Sequence, residues 1–185
     1  MNIIVKPCSS DICYCRPDTT WERENKDFYS PECVNEVLWA PVVFARISKA
    51  GKCIGNKFAD RYYDAIGCGM LMYGNNDLIS CIDHTSRLPL PMYSPLVLDE
   101  DKSLDIKVTR LGKEGDEVHT FALSRMKKVV EETICKASQL TSLRIGDLLA
   151  IELTPLESLA DRSIGDVSVQ GTFSENEIFE FKVIF

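Results

Sequence analysis

One apolar segment, VNEVLWAPVVFARIS at residues 34–48, constrains the fold more than any other part of the chain. Both sets of alternating positions are apolar: one includes Leu38 and Val42, and the other includes Trp39. A strand with one solvated face alternates apolar and polar residues, whereas a strand covered on both faces is apolar throughout. The segment therefore predicts a central strand buried on both sides, with Pro41 marking a bulge or an edge.

A second apolar segment, Cys68 to Tyr73, follows a stretch that has a helical pattern. Asn56 can cap a helix that places Phe58 and Tyr62 on one face. The pattern indicates a helix that runs directly into a second buried strand.

The remainder of the chain adds more strands and one more helix. Ser124 can cap this helix, whose apolar stripe includes Met126, Val130 and Ile134. Alternation or apolar runs predict strands at 2–6, 12–15, 104–111, 117–122 and 166–172, and in IGDLLAIEL and EIFEFKVIF. Without an internal repeat or a linker, we expect one domain over residues 1–185, of the α+β class, rich in β-strands and with two main helices.

Composition excludes several classes of function. The net charge is −7, so an acidic surface makes nucleic acid and anionic membranes unfavourable partners. No apolar run approaches the roughly 18 residues of a membrane helix, and the first residues do not form a secretory signal. A cytoplasmic protein is expected.

Eight cysteines are present, but none forms a Cys-x-x-Cys pair and only two histidines accompany them. A structural zinc site needs close pairs of thiolates or imidazoles. We interpret the cysteines as reduced thiols that serve as small core residues, with metal binding or a disulfide as the alternatives.

Few side chains suggest chemistry by themselves. His84 lies in CIDHTSRLP beside Asp83, Ser86 and Arg87, but a solvated loop explains this cluster as well as a nucleophilic triad does. Arg87 could bind a carboxylate with its planar guanidinium. No phosphate-binding glycine loop or dinucleotide motif is present.

The order of several motifs resembles the fumarylacetoacetate hydrolase family. RPDTTW stands near the start, where members of that family have KPDT; then come NEVLWAPVVFARISKAGK, RYYDA and, much later, LRIGDLLAIELTP. Family members have in these places a Tyr-Glu-x-Glu-Leu strand, a Gly-Lys turn, a helix ending like YYDA, and a GD-containing strand that leads to TGTP. The resemblance covers nearly the whole chain from about Ile12 onward.

The resemblance implies a mixed β-sheet roll and, usually, a homodimer. It also implies Mg²⁺ or Mn²⁺ held by carboxylates, substrates that are oxo-acids or diketo-acids, and C–C hydrolysis, decarboxylation or tautomerisation as the reaction.

The expected metal ligands are missing from this chain. The resemblance places the paired glutamates of the family on Ala40 and Val42, and the aspartate of the next strand near Leu71. A following Arg-Asp pair falls on Asn75 and Asn76, or is shifted by one residue to Asp77. Hard cations need oxygen ligands, and alkyl groups cannot compensate for their dehydration. We therefore expect no bound cofactor, and we expect Met70, Leu71 and Met72 to fill the space of the metal.

Three hypotheses follow for the function. The first is a non-catalytic relative of the family with a binding or assembly role, as a homodimer or in association with an active relative. The second is an enzyme without a metal that hydrolyses, decarboxylates or isomerises a small oxo-acid with His84, Arg87 and perhaps Asp77. The third is a module that keeps the old cleft and binds a small ligand such as an oxo-acid.

Overall fold

The computed structural model describes residues 1–75, 80–110 and 115–185, and two mixed β-sheets dominate it. The first sheet has eight strands in the order β2-β1-β10-β5-β6-β7-β3, and β11 pairs with β5 beside this path. The second sheet has five strands in the order β4-β13-β12-β8-β9. The strands are β1 (Ile3–Lys6), β2 (Tyr14–Arg16), β3 (Trp21–Glu22), β4 (Phe28–Tyr29), β5 (Glu36–Ile47), β6 (Tyr63–Gly74), β7 (Ser86–Arg87), β8 (Ser103–Arg110), β9 (Glu117–Ala122), β10 (Leu148–Glu152), β11 (Glu157–Asp161), β12 (Val167–Phe173) and β13 (Asn176–Ile184).

The long antiparallel pair β5 and β6 forms the centre of the first sheet, which confirms the prediction of a strand covered on both sides. The register is regular through Pro41, so this residue does not form a bulge. Pro41 instead lies between the part of β5 that pairs with β10 and the part that pairs with β11. Proline has no backbone N–H, and at Pro41 this group is missing where β5 has no regular strand partner on the side of β10 and β11.

Two glycines allow close packing along β6. A Cβ atom on Gly67 would lie 2.3 Å from the ring of Phe44, its cross-strand partner. A Cβ atom on Gly69 would lie 2.1 Å from the backbone oxygen of Arg87 in β7. A larger residue at Gly67 would displace the ring of Phe44, and one at Gly69 would push the backbone of β7 away from β6.

Helical structure occurs at both predicted places, with different extents. The helix α1 (Met126–Leu140) buries Met126, Val130 and Ile134 as expected, but its N-cap is Arg125 and lacks a side-chain cap. Where the sequence predicts a helix capped by Asn56, Asn56–Arg61 forms only a short 3₁₀ helix, and residues 63–66 already belong to β6. Backbone pairing explains the difference, because Ile66 exchanges hydrogen bonds of 2.9 and 2.7 Å with Tyr93 and tertiary pairing outweighs a local helical pattern. Further 3₁₀ helices span Asp18–Thr20 and Pro95–Asp99.

The two faces of the first sheet contribute to separate hydrophobic clusters. The face that carries Trp39, Val43 and Met72, here called the core face, packs in the larger cluster with the second sheet and α1. The opposite face, here called the pocket face, carries Val42 and Leu71 in a smaller cluster. Met70 and Met72 belong to the core-face cluster, so the expectation that they share one space with Leu71 is wrong, because neighbouring residues of a strand point to opposite faces.

All eight cysteines are free thiols. Cys68 is buried in the core, and Cys13 and Cys135 are partly buried and pack against it, but the expectation of core residues is wrong for the others. Five of them are exposed, namely Cys8, Cys15, Cys33, Cys53 and Cys81. Among the described residues, no helix has the length and the apolar character needed to cross a membrane.

Candidate ligand pocket

The three positions at which the resemblance predicts metal-binding carboxylates lie together on the pocket face. Ala40 in β5 is the direct cross-strand partner of Leu71 in β6, and Val42 follows Ala40 on the same face. All three side chains are fully buried. Acidic residues at these positions would converge on one site, but the chain presents hydrocarbon there.

These residues do not fit a divalent cation. Mg²⁺ and Mn²⁺ require oxygen ligands, and Ala40, Val42 and Leu71 supply none. Within residues 1–75, 80–110 and 115–185, no group of three or more His, Cys, Asp or Glu side chains could hold a metal ion. Asn75 uses its side-chain oxygen to accept hydrogen bonds from the backbone N–H groups of Asn35 and Glu36. Asn76 and Asp77 lie outside the described residues.

A cavity of about 400 Å³ lies beside these hydrocarbon positions. Glu152 of β10 is the cross-strand partner of Val42, and Tyr73 follows Leu71 by two residues on the same face. Both side chains line the cavity. The full lining consists of Pro7, Ser9, Ser10, Tyr14, Tyr73, Ser80, Glu152 and Leu156. The volume of the cavity lies in the usual range for small-molecule sites, roughly 300–1,000 Å³.

A chain of hydrogen bonds crosses the cavity floor. The Tyr73 hydroxyl donates to Oε1 of Glu152, and the backbone N–H of Cys8 donates to Oε2 at 2.9 Å. The Tyr14 hydroxyl lies 2.8 Å from the Tyr73 hydroxyl. Since a phenol has one proton and Tyr73 gives its proton to Glu152, the Tyr14 hydroxyl is the donor in this contact. These hydrogen bonds fix the carboxylate of Glu152, a residue that is 8% exposed, at the cavity.

Burial keeps the phenol of Tyr73 protonated. Burial raises the pKa of Tyr73 well above its usual value, and the neighbouring Tyr14 and Glu152 raise it further. A phenol that holds its proton remains a hydrogen-bond donor over the whole physiological pH range. Tyr73 is therefore a fixed support for Glu152 rather than a titrating group.

A buried guanidinium lies behind the aromatic wall. Arg16 is 1% exposed, and its Cζ lies 4.8 Å from the centre of the Tyr73 ring. It donates to the backbone oxygens of Ser80 and Met72 and to the Thr85 hydroxyl. Nη1 is buried without a hydrogen-bond partner. Burial lowers the pKa of Arg16, whereas the nearby Tyr73, Tyr14 and Glu152 raise it.

The residues predicted from local sequence lie elsewhere. His84 is on the surface, where its Nδ1 lies 2.9 Å from Oε2 of the buried Glu22. Arg87 is on the core face, donates to the backbone oxygen of Lys26, and stacks 4.0 Å from the centre of the Phe181 ring. Burial lowers its pKa to about 10. Neither residue lines the cavity, and their catalytic roles, like that of Asp77, remain predictions.

The sequence did not indicate the polar residues of the cavity. Tyr14 and Tyr73 are separated by 59 residues, and Tyr73 and Glu152 by 79. One signal was available, because IELTP carries a glutamate where the family that this chain resembles has TGTP. An acidic residue in an otherwise apolar strand needs polar partners.

Comparison with known proteins supports the fold and gives no match in sequence. No model of a known protein family matches the chain, and no curated protein matches it. Solved structures do match. The maleylpyruvate hydrolase from Sphingobium sp. SYK-6 has a TM-score of 0.73 and 14% identity over 99% of this chain and 70% of its own.

Two further structures give the same result. The fumarylpyruvate hydrolase from Pseudomonas aeruginosa, in complex with Mn²⁺ and pyruvate, has a TM-score of 0.69 and 15% identity over 94% of this chain and 78% of its own. A protein from Yersinia pestis CO92 assigned to the fumarylacetoacetate hydrolase family has a TM-score of 0.72 and 9% identity over 99% of this chain and 92% of its own. The chain therefore has the fold of the fumarylacetoacetate hydrolase family, as the order of its sequence motifs predicts.

Proposed function

We propose that this chain is a non-catalytic protein with the fumarylacetoacetate hydrolase fold that binds a small molecule in the cavity beside Glu152. The observation that carries the proposal is the hydrocarbon at Ala40, Val42 and Leu71, fully buried on one face of neighbouring strands. A neighbour in structure is described in complex with Mn²⁺ and pyruvate, whereas Ala40, Val42 and Leu71 of this chain supply no oxygen ligand for such a metal.

The cavity supports the binding part of the proposal. Glu152 and Tyr73 are buried polar groups, and each is hydrogen-bonded in a defined direction. Burying polar groups is unfavourable even when they are paired, so an apolar pair would serve stability as well. A fixed carboxylate at the wall of a cavity is instead suited to recognising a ligand.

Metal binding provides the first test. We expect elemental analysis of the purified chain to find no stoichiometric Mg²⁺ or Mn²⁺, and calorimetric titration with MnCl₂ to give no saturable heat. A matched variant with Ala40→Glu, Val42→Glu and Leu71→Asp tests the assigned positions, since three converging carboxylates should gain Mn²⁺ binding. Stoichiometric metal in the wild-type chain would refute the proposal.

Ligand binding provides the second test. A compound that binds only the folded state raises the melting temperature by mass action. We expect hits from a thermal-shift screen of small polar compounds, oxo-acids included, to be lost in Ser80→Phe, which fills the cavity. Ser168→Phe, at a half-buried serine of β12, is the matched control and should keep them. Hits that survive in Ser80→Phe would place the ligand elsewhere.

An assembly role accompanies this proposal, as a homodimer or in association with an active relative of the same fold. Light scattering after size exclusion measures the mass of the chain in solution. A strictly monomeric chain that also fails to bind an active relative would remove the assembly role.

A second candidate function is metal-independent acid–base catalysis on a small oxo-acid or diketo-acid. The observation in its favour is the 2.9 Å contact between His84 Nδ1 and Glu22 Oε2, with the imidazole 55% exposed and the carboxylate buried. A carboxylate fixed in this way orients an imidazole for proton transfer. Turnover of a diketo-acid that His84→Ala abolishes and Asp83→Ala retains would favour this function over the first.

A further inference from the structure

One lining residue determines the charge that a ligand meets in the cavity. Among the described residues that line it, Glu152 is the only carboxylate, and no lysine, arginine or histidine accompanies it. The other polar groups are the hydroxyls of Ser9, Ser10 and Ser80 and of two tyrosines. A ligand therefore meets one fixed negative charge surrounded by neutral oxygens.

The compensating positive charge lies out of reach of a ligand. Arg16 does not line the cavity and is 1% exposed. Its guanidinium stacks on the ring of Tyr73, and two of its nitrogens donate to Ser80, Met72 and Thr85. Arg16 interacts electrostatically with Glu152, and its unpartnered Nη1 is buried, so no Arg16 donor lines the cavity.

From these observations we infer that the cavity selects a small primary ammonium compound and excludes oxo-acids; this inference rests on the proposed function. An ammonium group has three donors and no acceptor. Each oxygen of Glu152 accepts one described hydrogen bond, from Tyr73 or from Cys8, so each keeps a lone pair for a ligand. Three serines also line the cavity, and a serine hydroxyl can accept a further hydrogen bond.

The same geometry disfavours an anion. A carboxylate ligand would face the carboxylate of Glu152 in a partly buried site, where like charges repel strongly. Among the described residues of the wall, no positively charged group offsets this repulsion. The apolar side of the cavity, Pro7 and Leu156 with the tyrosine rings, suits the carbon skeleton of the ligand, and aromatic rings also attract cations.

Three probes of nearly equal shape test the inference: benzylammonium, benzyl alcohol and benzoate. Binding is measured from the chemical shifts of backbone amides, and the Cys8 amide reports on the site because it donates to Glu152. We expect benzylammonium to bind about tenfold more tightly than benzyl alcohol, since a charge-assisted hydrogen bond is stronger than a neutral one. Benzoate should bind more weakly than either.

The variant Glu152→Gln removes the charge and keeps the shape. We expect it to abolish the preference for benzylammonium over benzyl alcohol while binding of the alcohol persists. The ranking on the wild-type chain needs no variant, so a Glu152→Gln chain that fails to fold leaves the test intact.

The possible outcomes distinguish failure of the inferred charge preference from failure of the proposed ligand-binding function. If benzoate or pyruvate binds most tightly and shifts the Cys8 amide, the charge selection is wrong and the proposed binding function stands. If none of the three probes shifts the amides around the cavity, the inference fails; if the wider thermal-shift screen is also blank, the proposed function fails with it.

Discussion

The two faces of the eight-stranded sheet differ in how they bury polar groups. On the core face, Arg87 lies in an apolar cluster with one hydrogen bond, and its Nε and Nη2 are unpartnered. On the pocket face, Arg16 makes three hydrogen bonds, and Tyr73 and Glu152 are paired with each other. The pocket face therefore satisfies more of its buried polar atoms: Arg16 leaves one nitrogen, Nη1, without a partner, whereas Arg87 leaves two, although the charges of Glu22 and Asp27 lie near it. This contrast is consistent with the proposal that the pocket face binds a ligand while the core face contributes most of the stability.

Truncating one leucine on each face gives the largest effects and tests where stability resides. Leu148 and Leu149 are neighbours in β10 and belong to opposite faces. We expect Leu149→Ala to lower the free energy of unfolding by about 4 kcal/mol and Leu148→Ala by about 2–3 kcal/mol. The core face is enclosed by the second sheet and cannot relax around the void, whereas the smaller cluster adjoins an open cavity. Urea unfolding followed by circular dichroism measures both values, and equal losses would break the comparison.

Replacing each buried arginine by methionine sharpens the comparison further. Arg16→Met leaves the backbone oxygens of Met72 and Ser80 without donors, so we expect a loss of about 2–3 kcal/mol. Arg87→Met removes one donor, to the backbone oxygen of Lys26, and a charge near Glu22 and Asp27, but it also removes two unpartnered nitrogens. A thioether can pack against the ring of Phe181. We expect a smaller loss, of about 1 kcal/mol, since one described hydrogen bond is lost and Glu22 keeps its bonds from the backbone N–H groups of Arg23 and Glu24. Urea unfolding of both variants decides, and a larger loss for Arg87→Met would show that the core face depends on this charge.

Alkaline pH probes one buried acid on each face. Burial raises the pKa of Cys68 on the core face to about 12, from 9.0, and the pKa of Tyr73 on the pocket face rises from 10.0. The folded state therefore keeps protons that the unfolded chain releases, so the stability from each group is complete below its unfolded pKa and is lost above it. We expect the free energy of unfolding to fall from pH 9 upward, by about 1.4 kcal/mol per pH unit for each group.

Two variants assign this loss to the two faces. Cys68→Ala should remove the part that begins near pH 9, and Tyr73→Phe the part that begins near pH 10. Unfolding midpoints measured at each pH against the wild type cancel the other titrating groups. A Cys68→Ala chain with an unchanged pH profile would contradict the burial of this thiol.

Much of the fold was predictable from the sequence because its signals are local. The apolar character of Val37 to Ile47 on both sides and the stripe of α1 each specify an element and its buried faces. The strand β11 was missed, because ESLAD has no regular alternation. The start of β6 at Tyr63 was also missed, since that end is fixed by pairing with Ile47 in β5.

The candidate site was much less predictable, since its side chains meet only through strand register. Glu152 reaches the cavity because β10 pairs with β5 so that Glu152 faces Val42. A shift of one residue would turn it to the other face. The family resemblance assigns the absent acids to Ala40, Val42 and Leu71, but the sequence did not indicate which polar groups lie beside these positions.

The smallest expected effect concerns a third arginine. It tests whether burial or hydrogen bonding determines how strongly an arginine stabilises the pocket face. Arg46 lies on this face at the far end of β5 and binds both oxygens of Asp64, at 2.9 and 3.0 Å, with both side chains 48% exposed. Its bonds to a carboxylate are as good as those of Arg16, but water competes for them. We expect Arg46→Ala to cost less than about 1 kcal/mol, and less still at high salt, because exposed ion pairs are screened. A double-mutant cycle with Asp64→Ala isolates the pair; a coupling as large as the effect of Arg16→Met would mean that hydrogen bonding, rather than burial, determines how strongly an arginine stabilises this face.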